Sequence, residues 1–320
     1  MKKLFAIALS LAWAASAAAQ GSFPAKPITT VVGFEPGGGT DTVGRIVAKF
    51  LGENIGQQAL VENRAGAGGD IAVDYVAKSA PDGYTIVLAN VGSLAVNPHI
   101  LKTSYNPLKD LTPITMGVVF ANVLVVQPKL NIKTLADFVK LAKANPGKIT
   151  YASSGIGGAG HLAGELLKMR AGIDIVHVPY KGGGPASAGF LGGQVDSFFA
   201  TPVSSNKQIA AGKAIAIATT GSKRTRTMLQ DVPTVAEQGY PGYEALNWYA
   251  YLGPANMPKE VVERLNREIV KVLKTPAAVD LLNKQGVEAE PGTPEELARY
   301  MEREYKTWGE VVKKAGIKPQ

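Results

Sequence analysis

Three glycine-rich turns constrain the fold of this chain more than any other feature of its sequence. Each turn follows a short run of β-branched residues and precedes a segment with apolar residues at helical spacing. The turns are FEPGGGTD at 34–41, SSGIGGAGH at 153–161 and YKGGGP at 180–185. Repeated strand–turn–helix units are typical of domains in which helices cover mostly parallel sheets. The sequence therefore predicts an α/β fold.

The alternation of strands and helices continues along the chain in two series. The first series has predicted strands at 28–33, 59–62 and 85–89 and predicted helices at 41–51 and 70–79. The run 118–126 predicts one long buried strand, followed by a helix at 135–144 and strands at 149–152, 175–178, 195–199 and 215–219. An aromatic stretch at 248–252 leads to predicted helices at 259–273, 276–284 and 294–314. Thr293 and Glu296 have the spacing of a capping box at the start of the last helix.

Length and composition favour two domains. About 300 residues follow the first nineteen, which exceeds the usual size of one hydrophobic core. Hydrophobic residues make up 46% of the chain and can fill two cores, and the chain has no cysteine and therefore no disulfide. We expect the terminal helices to return to the first domain, so that the chain crosses between the domains more than once and the crossings form a hinge.

The N-terminus has the pattern of a secretory signal peptide. Lys2 and Lys3 precede an apolar run at 4–15, and small residues follow at 17–19. The run is too short for the ~20 residues that span a bilayer. No cysteine follows it, so a lipid anchor is not expected, and cleavage near Ala19 would release the mature protein into the periplasm.

The charge balance favours a small acidic solute over nucleic acid. The formal net charge is +8, and removal of Lys2 and Lys3 leaves +6. The charges are dispersed over mixed-sign helices such as 259–274, whereas nucleic-acid-binding proteins concentrate them in one basic stripe.

The glycine-rich turns are the candidate binding site. Glycine lets the backbone approach a ligand, and the unpaired N–H groups at a helix start attract anions. In open α/β sheets, ligands bind at the carboxyl ends of the strands, where these turns lie. The polar candidates at strand ends or turns are Thr40, Asn90, Ser93, Ser153, Ser154 and Thr201. The aromatic candidates, most of which we expect in the core, are Phe34, Tyr151, Tyr180, Phe198, Phe199 and Trp248.

Nucleotide binding is disfavoured although Gly155, Gly157 and Gly160 match G-x-G-x-x-G. The acidic residue that binds a ribose should end the next strand, and residues 179–181 at that place are Pro-Tyr-Lys. None of the glycine-rich turns ends in the G-K-[ST] of a phosphate-binding loop.

No motif predicts catalysis or a metal site, and no cofactor is predicted. The histidines are His99, His161 and His177, and none belongs to an H-E-x-x-H motif. His161 and Glu165 share a helix face, a spacing that favours a local hydrogen bond over metal binding. A secreted serine hydrolase with Ser153 or Ser154 as nucleophile and His161 nearby stays open as an alternative, because catalytic triads are scattered in sequence.

The chain resembles the solute receptors of tripartite tricarboxylate transporters, the Bug or TctC-like proteins, over essentially the whole mature sequence. The blocks that carry the resemblance in the first half are FEPGGGTD at 34–41, VENRAGAGG at 61–69, PDGYT at 81–85, NP at 97–98 and ANPGK at 144–148. Those in the second half are HLAGE at 161–165, HVPYKG at 177–182, LGGQVD at 191–196, DVPT at 231–234 and GTPEE at 292–296.

The resemblance implies a two-domain periplasmic binding protein clamshell of type II-like architecture, each domain a sheet flanked by helices, with the ligand in the interdomain cleft. It implies a first domain of residues 20–124 together with 245–320 and a second domain of 125–244. Residues 37–41 would grip a ligand carboxylate. The ligand-binding residues that the resemblance implies are Gly37, Gly38, Gly39, Thr40 and Asp41 in the first domain, and Ser153, Ser154, Gly157, Gly158, His161, Tyr180 and Thr201 in the second. The aromatic and strand-end candidates Phe34, Asn90 and Ser93 complete the predicted set.

The partners that the resemblance implies are a small carboxylate and, transiently, the membrane permease of a tripartite transporter, with the receptor itself a monomer. A receptor that reports its solute to a sensor kinase is the alternative with the same fold. Two departures from the family pattern bear on the ligand. Gly33 and Glu35 stand where many relatives have proline or a small residue, and Phe199-Ala200-Thr201 stands where relatives often have an aspartate. The less acidic wall favours a dicarboxylate or an aromatic carboxylate over an amino acid.

Overall fold

The structure, a computed structural model, describes residues 23–314, and the predicted signal peptide lies outside them. The strands are β1 (Ile28–Val32), β2 (Ala59–Asn63), β3 (Thr85–Asn90), β4 (Leu111–Ala121), β5 (Val123–Val126), β6 (Ile149–Ser153), β7 (Ile175–Pro179), β8 (Ser197–Ala200), β9 (Ile215–Thr219), β10 (Leu246–Pro254) and β11 (Glu288–Ala289). The helices are α1 (Gly39–Ile55), α2 (Asp70–Ala77), α3 (Asn97–Ile100), α4 (Leu135–Ala144), α5 (Ala159–Ala171), α6 (Gly183–Leu191), α7 (Pro202–Ala210), α8 (Lys259–Lys274), α9 (Pro276–Asn283) and α10 (Pro294–Lys314).

The first sheet is built from both ends of the described chain. Its strand order is β11-β4-β10-β3-β1-β2, with β1 parallel to β2 and β3, and β10 antiparallel to β3 and β4. One face packs on α1 and α8 through residues such as Val47 and Ile269. The opposite face packs on α2 and α10 through residues such as Val73 and Trp308. Helices on both faces explain why the central strands are almost continuously apolar.

The second sheet is built from the middle of the chain. Its order is β7-β6-β8-β5-β9, with β6 parallel to β7 and β8, and β5 antiparallel to β8 and β9. Phe198 and Phe199 on β8 enter two different cores, one on each face of the sheet, because successive side chains of a strand point in opposite directions. The predicted two-domain α/β fold is confirmed.

The single long strand predicted at 118–126 is wrong. The structure has two strands there, β4 in the first sheet and β5 in the second, separated by Asn122. The Asn122 N–H donates to the Thr220 hydroxyl at 2.9 Å, and the Thr220 N–H donates to the Asn122 carbonyl at 2.9 Å. Since both residues are buried, these bonds satisfy backbone groups that belong to neither sheet. An apolar run alone cannot show where a strand changes sheet.

Thr220 also ties in the second crossing, where the chain returns towards β10. The Ala245 N–H donates to the Thr220 carbonyl at 2.8 Å, and the Thr220 hydroxyl donates to the Ala245 carbonyl at 2.8 Å. One threonine therefore holds the outgoing and returning segments together between the two sheets.

The terminal helices return to the first sheet as expected. The predicted capping box is confirmed, since the Glu296 N–H donates to the Thr293 hydroxyl at 3.2 Å and the Thr293 N–H donates to the Glu296 carboxylate at 2.8 Å. Within residues 23–314, none of the helices combines the length and the apolar character that crossing a bilayer requires.

Replacement of Thr220 with valine tests the crossing. Thr220→Val keeps the side-chain shape but leaves the Asn122 N–H without its acceptor, so we expect a loss of about 1–3 kcal/mol in the free energy of unfolding. Urea denaturation measures the loss. The matched control is Thr275→Val, whose hydroxyl bonds the Lys271 carbonyl at the surface and which should stay within about 0.5 kcal/mol of wild type. Equal losses in both variants would contradict a special role for the crossing.

Candidate functional site

The glycine-rich turns meet in a cleft between the two sheets. The first turn contacts the third, because the Glu35 N–H donates to the Lys181 carbonyl at 3.2 Å. Gly38 faces Gly183 so closely that a methyl group on Gly38 would lie 3.4 Å from the Gly183 nitrogen. As predicted, each turn opens a helix, and these are α1, α5 and α6.

These helices begin without a side-chain cap. Gly38, Gly158 and Gly182 occupy the N-cap positions, and no side-chain hydrogen bond caps any of the corresponding helices. By contrast, the Thr134 and Thr201 side chains cap α4 and α7. First-turn N–H groups and the positive ends of helix dipoles from both domains therefore converge on the cleft, and this arrangement attracts an anion.

The side chain of Asp41 holds the first turn in shape. It is buried, and its carboxylate accepts bonds from the Gly37 N–H at 3.0 Å and from the Arg45 Nε and Asn63 Nδ2 at 2.9 Å each. The Asn63 amide also donates to the Phe34 carbonyl at 2.9 Å. Burial opposes ionisation, but the bonds from Arg45, Gly37 and Asn63 outweigh it and keep the pKa of Asp41 below its usual value. Asp41 is therefore ionised, with both carboxylate oxygens occupied by groups of the first domain.

Tyr249 forms part of the cleft floor, although sequence reasoning did not single it out. A methyl group on Gly39 would lie 2.6 Å from the Tyr249 hydroxyl and 3.3 Å from the Thr201 hydroxyl. Burial raises the pKa of Tyr249, while a bond with the Thr40 hydroxyl opposes this effect, so the phenol stays protonated. The Tyr249 ring and that of the neighbouring Trp248, which was an aromatic candidate, pack in cores on opposite faces of the first sheet, so Tyr249 reaches the cleft through its hydroxyl. Alternation along the strand at 248–252 indicates that neighbouring side chains point in opposite directions. It does not show which set of side chains faces the cleft.

Asn90 and Ser93 lie at the end of β3 and are both buried. The Ser93 hydroxyl contacts the Asn90 side-chain oxygen at 3.1 Å, and the Ser93 N–H donates to the same atom at 3.2 Å. A methyl group on Gly69 would lie 3.5 Å from both this oxygen and the ring of Phe34. The pair thus borders the cleft beside Phe34.

The second turn rests on a stack of aromatic rings. The His177 ring lies between His161, at 4.1 Å between centroids, and Tyr151, at 4.9 Å. The Gly157 N–H donates to His161 Nδ1 at 3.1 Å. Burial lowers the pKa of His161, and burial together with the neighbouring His161 lowers the pKa of His177 to about 3. Both imidazoles are therefore neutral at neutral pH. The bond expected between His161 and Glu165 is replaced by bonds from Tyr151 and Lys168 to that carboxylate.

Ser153 is fully buried against His177. Its hydroxyl lies 2.6 Å from His177 Nε2, donates to the Gly155 carbonyl at 2.9 Å and accepts from the Gly155 N–H at 3.2 Å. Which atom donates in the contact with His177 Nε2 depends on the histidine tautomer. Ser153 is fully buried, so its hydroxyl is shielded from a substrate in the cleft.

Glycine also permits the second turn to pack directly on the first domain. A methyl group on Gly92 would lie 3.1 Å from the Gly157 carbonyl oxygen and 3.2 Å from the Gly158 Cα. One on Gly68 would lie 2.5 Å from the Ile156 carbonyl oxygen. Gly157 has φ +72° and faces the Asn97 side chain, so any other residue there would be both strained and obstructed.

Tyr180 and Ser154 complete the predicted set. The Tyr180 hydroxyl donates to Gln194 at 3.0 Å, and its ring covers Gly189 on α6, so its polar end points away from the turns. Ser154 is half-buried next to Gly158. Within residues 23–314, no cluster of three or more histidine, cysteine or acidic side chains has the arrangement of a metal site.

Comparison with known protein families gives one match over most of the chain. The model of the tripartite tricarboxylate transporter family receptor matches residues 43–317. A UPF0065 protein in the tcbD-tcbE intergenic region of Pseudomonas sp. strain P51 is 38% identical, with 91% of this chain and 87% of the relative covered. Protein BugT of Bordetella pertussis is 37% identical, with 93% and 91% covered.

Solved structures share the fold at closely similar length. A periplasmic transporter is 42% identical with a TM-score of 0.89, covering 93% of this chain and 99% of that one. R. palustris Rpa4515 with adipate is 35% identical with a TM-score of 0.90, covering 93% and 100%. MatC of Rhodopseudomonas palustris with bound malate is 30% identical with a TM-score of 0.86, covering 91% and 100%.

The buried imidazole of His177 should make stability depend on pH. Its folded-state pKa of about 3 lies below the usual histidine value of 6.5, so the unfolded chain takes up a proton first and stability is lost as pH falls below about 6.5. Burial raises the pKa of Asp70 to about 6, so protonation of Asp70 favours the folded state over part of the same pH range and opposes the effect of His177. We therefore compare variants: urea denaturation at pH 7 and pH 5 should show a smaller acid-induced loss for His177→Gln than for wild type. His99→Gln, with its ring bonded to the Tyr305 carbonyl, is the control. Identical pH profiles for wild type and His177→Gln would contradict the assignment.

Proposed function

This chain belongs to the tripartite tricarboxylate transporter receptor family, and from that membership we propose that it captures a small organic carboxylate in its cleft and delivers it to the membrane permease of a tripartite transporter. The observation that carries the proposal is the convergence of the uncapped N-termini of α1, α5 and α6 on one cleft. The adipate and malate in the structures of two relatives are carboxylates, which agrees with this chemistry.

We place one ligand carboxylate at the N-terminus of α1. The N–H groups of Gly38, Gly39 and Thr40 supply partial positive charge there, and Thr201 and Tyr249 supply hydroxyls at the floor. Asp41 acts on the ligand indirectly. It holds the Gly37 N–H and thereby shapes the turn, while Arg45 neutralises its charge at a salt-bridge distance of 2.8 Å. Without this partner, the carboxylate of Asp41 would repel an anion at the same turn.

Ligand capture is coupled to domain closure in this proposal. The hinge is the pair of crossings around Thr220, with domain boundaries near residues 124 and 245. The glycine contacts of Gly68 and Gly92 with the second turn belong to the closed form. A ligand that touches both domains binds this form more tightly than an open one and so shifts the population towards it.

The proposal includes export, with cleavage near Ala19 and a monomeric receptor in the periplasm that docks transiently on the permease. It includes no covalent step. The serine hydrolase alternative loses support because the Ser153 hydroxyl is fully buried and is enclosed by Gly155 and His177.

A ligand screen tests the function. The mature protein, refolded to remove bound solutes, is tested by thermal shift against mono-, di-, tri- and aromatic carboxylates, with amino acids and nucleotides as controls. A carboxylate at 100 times its Kd should add ~2.7 kcal/mol, a shift of a few degrees. Gly38→Val crowds the turn against Gly183 and should lose this response with little loss of stability. A response to nucleotides alone, or turnover of esters that Ser153→Ala abolishes, would overturn the proposal.

The closure step has its own test at Gly92. Gly92→Ala places a methyl group 3.1 Å from the Gly157 carbonyl oxygen across the cleft, so it should hinder closure and weaken the best carboxylate of the screen at least about tenfold. Small-angle scattering with that carboxylate should show a larger radius of gyration than wild type. Gly192→Ala is the control, because Gly192 has φ −74° and is exposed at the end of α6. Unchanged affinity and scattering in Gly92→Ala would show that this contact does not govern closure.

A further inference from the structure

A cavity of about 290 Å³ lies between the domains beside the first and second turns. Its side-chain lining is mainly apolar and comes from both domains: Phe34 and Leu101 from the first, and Ile156, Pro179 and Tyr180 from the second. A cavity of about 150 Å³ holds benzene, so this one has room for a six-carbon ring or chain.

The cavity and the place proposed for the carboxylate are connected through the first turn, since Phe34 lines the cavity whereas residues 38–40 do not. Phe34 is part of the first turn, where its carbonyl accepts the Asn63 amide. Ser154 lines the cavity from the other side, and its hydroxyl lies 3.5 Å from where a methyl group on Gly158 would be, at the start of α5. A ligand anchored at α1 would therefore extend its body along Phe34 into this space.

Two cations near the cleft are already paired, and the half-buried Glu35 of the first turn borders a separate surface pocket together with Lys181. Arg45 bonds Asp41, and Lys168 bonds Glu165. Lys181 lines the cavity as an exposed residue at its rim.

Several hydroxyl groups of the cleft are engaged with other residues, although the Ser154 hydroxyl at one side of the cavity is not among them. Ser93 contacts Asn90, Ser153 contacts His177, and Thr201 contacts Ser204 at 3.0 Å. A ligand hydroxyl that lies against Phe34, Leu101 and Ile156, away from Ser154, would lose its hydration without gaining a partner, which costs free energy.

We propose that this cavity receives the apolar body of the bound carboxylate, so that the ligand class is carboxylates with an unbranched alkyl chain or an aromatic ring of about six carbons, and not short hydroxy acids. The proposal rests on the carboxylate-receptor function above and specifies its substrate class. In a long dicarboxylate, the second carboxylate would reach the rim of the cavity at Lys181, where it stays hydrated.

Isothermal titration calorimetry with matched ligand series tests this class. The dicarboxylate series is succinate, glutarate, adipate and malate, and the monocarboxylate series is acetate, butyrate, hexanoate and benzoate. Each added methylene should tighten binding about fourfold until the cavity is filled. Malate, which adds one hydroxyl to succinate, should bind at least about fivefold more weakly than succinate.

Variants of the lining separate the cavity from the carboxylate turn. Ile156→Ser should weaken adipate and benzoate about tenfold while leaving succinate and acetate within about twofold of wild type. Leu101→Ser is the second variant, in case the first one unfolds. Leu108→Ser, at a residue that is 40% exposed and does not line the cavity, is the control.

The outcomes separate the proposed ligand class from the proposed receptor function. Length-dependent tightening that Ile156→Ser abolishes supports the ligand class. Binding of malate as tight as that of adipate, or an equal loss for short and long ligands in Ile156→Ser, overturns the class and leaves the receptor function standing. Binding of no carboxylate at all overturns both.

Discussion

The double crossing tied by Thr220 is the constraint on which the rest of the structure depends. The backbone and hydroxyl of Thr220 form hydrogen bonds with Asn122 on the outgoing segment and with Ala245 on the returning segment. At this point the chain has left one sheet and has not yet entered the other. Its buried N–H and C=O groups therefore have no partner strand, and the bonds made by Thr220 satisfy them instead. The crossing divides the chain into two sheets and lets the carboxyl ends of β1, β6 and β7 face one cleft, so every glycine turn depends on it.

The cleft obtains its positive character from backbone geometry and not from a buried cation. Helix N-termini with glycine caps bring N–H groups from both domains to the cleft, and Arg45 balances the one acidic side chain that shapes the first turn. Backbone donors lose little conformational entropy on binding, and their charge does not have to be desolvated as an ammonium group would. The close approach of Gly92 and Gly68 to the second turn shows a second use of glycine, because a side chain at either place would keep the domains apart.

Much of the fold could be predicted because the responsible signals are local. The turns at 34–41, 153–161 and 180–185 each open a helix as expected, and the Thr293 capping box forms as its spacing indicates. The errors arose where distant contacts decide. The apolar run 118–126 divides at Asn122, and Glu165 pairs with Tyr151 and Lys168 instead of His161. The roles of the predicted binding residues stay predictions, with Asp41 and Tyr180 placed so that their polar atoms already have protein partners.

The sequence by itself determined the alternation of strands and helices, the turns that only glycine can form, and the helix starts, because these depend on neighbours a few residues apart. Only the tertiary structure decided that Tyr249 lies beneath Gly39, that His177 rather than His161 bonds Ser153, and that Phe34, Leu101 and Ile156 enclose one cavity. Each of these contacts joins segments that are far apart in the chain. Their meeting depends on which sheet each strand enters and on how the two sheets face each other, and no local periodicity carries that information.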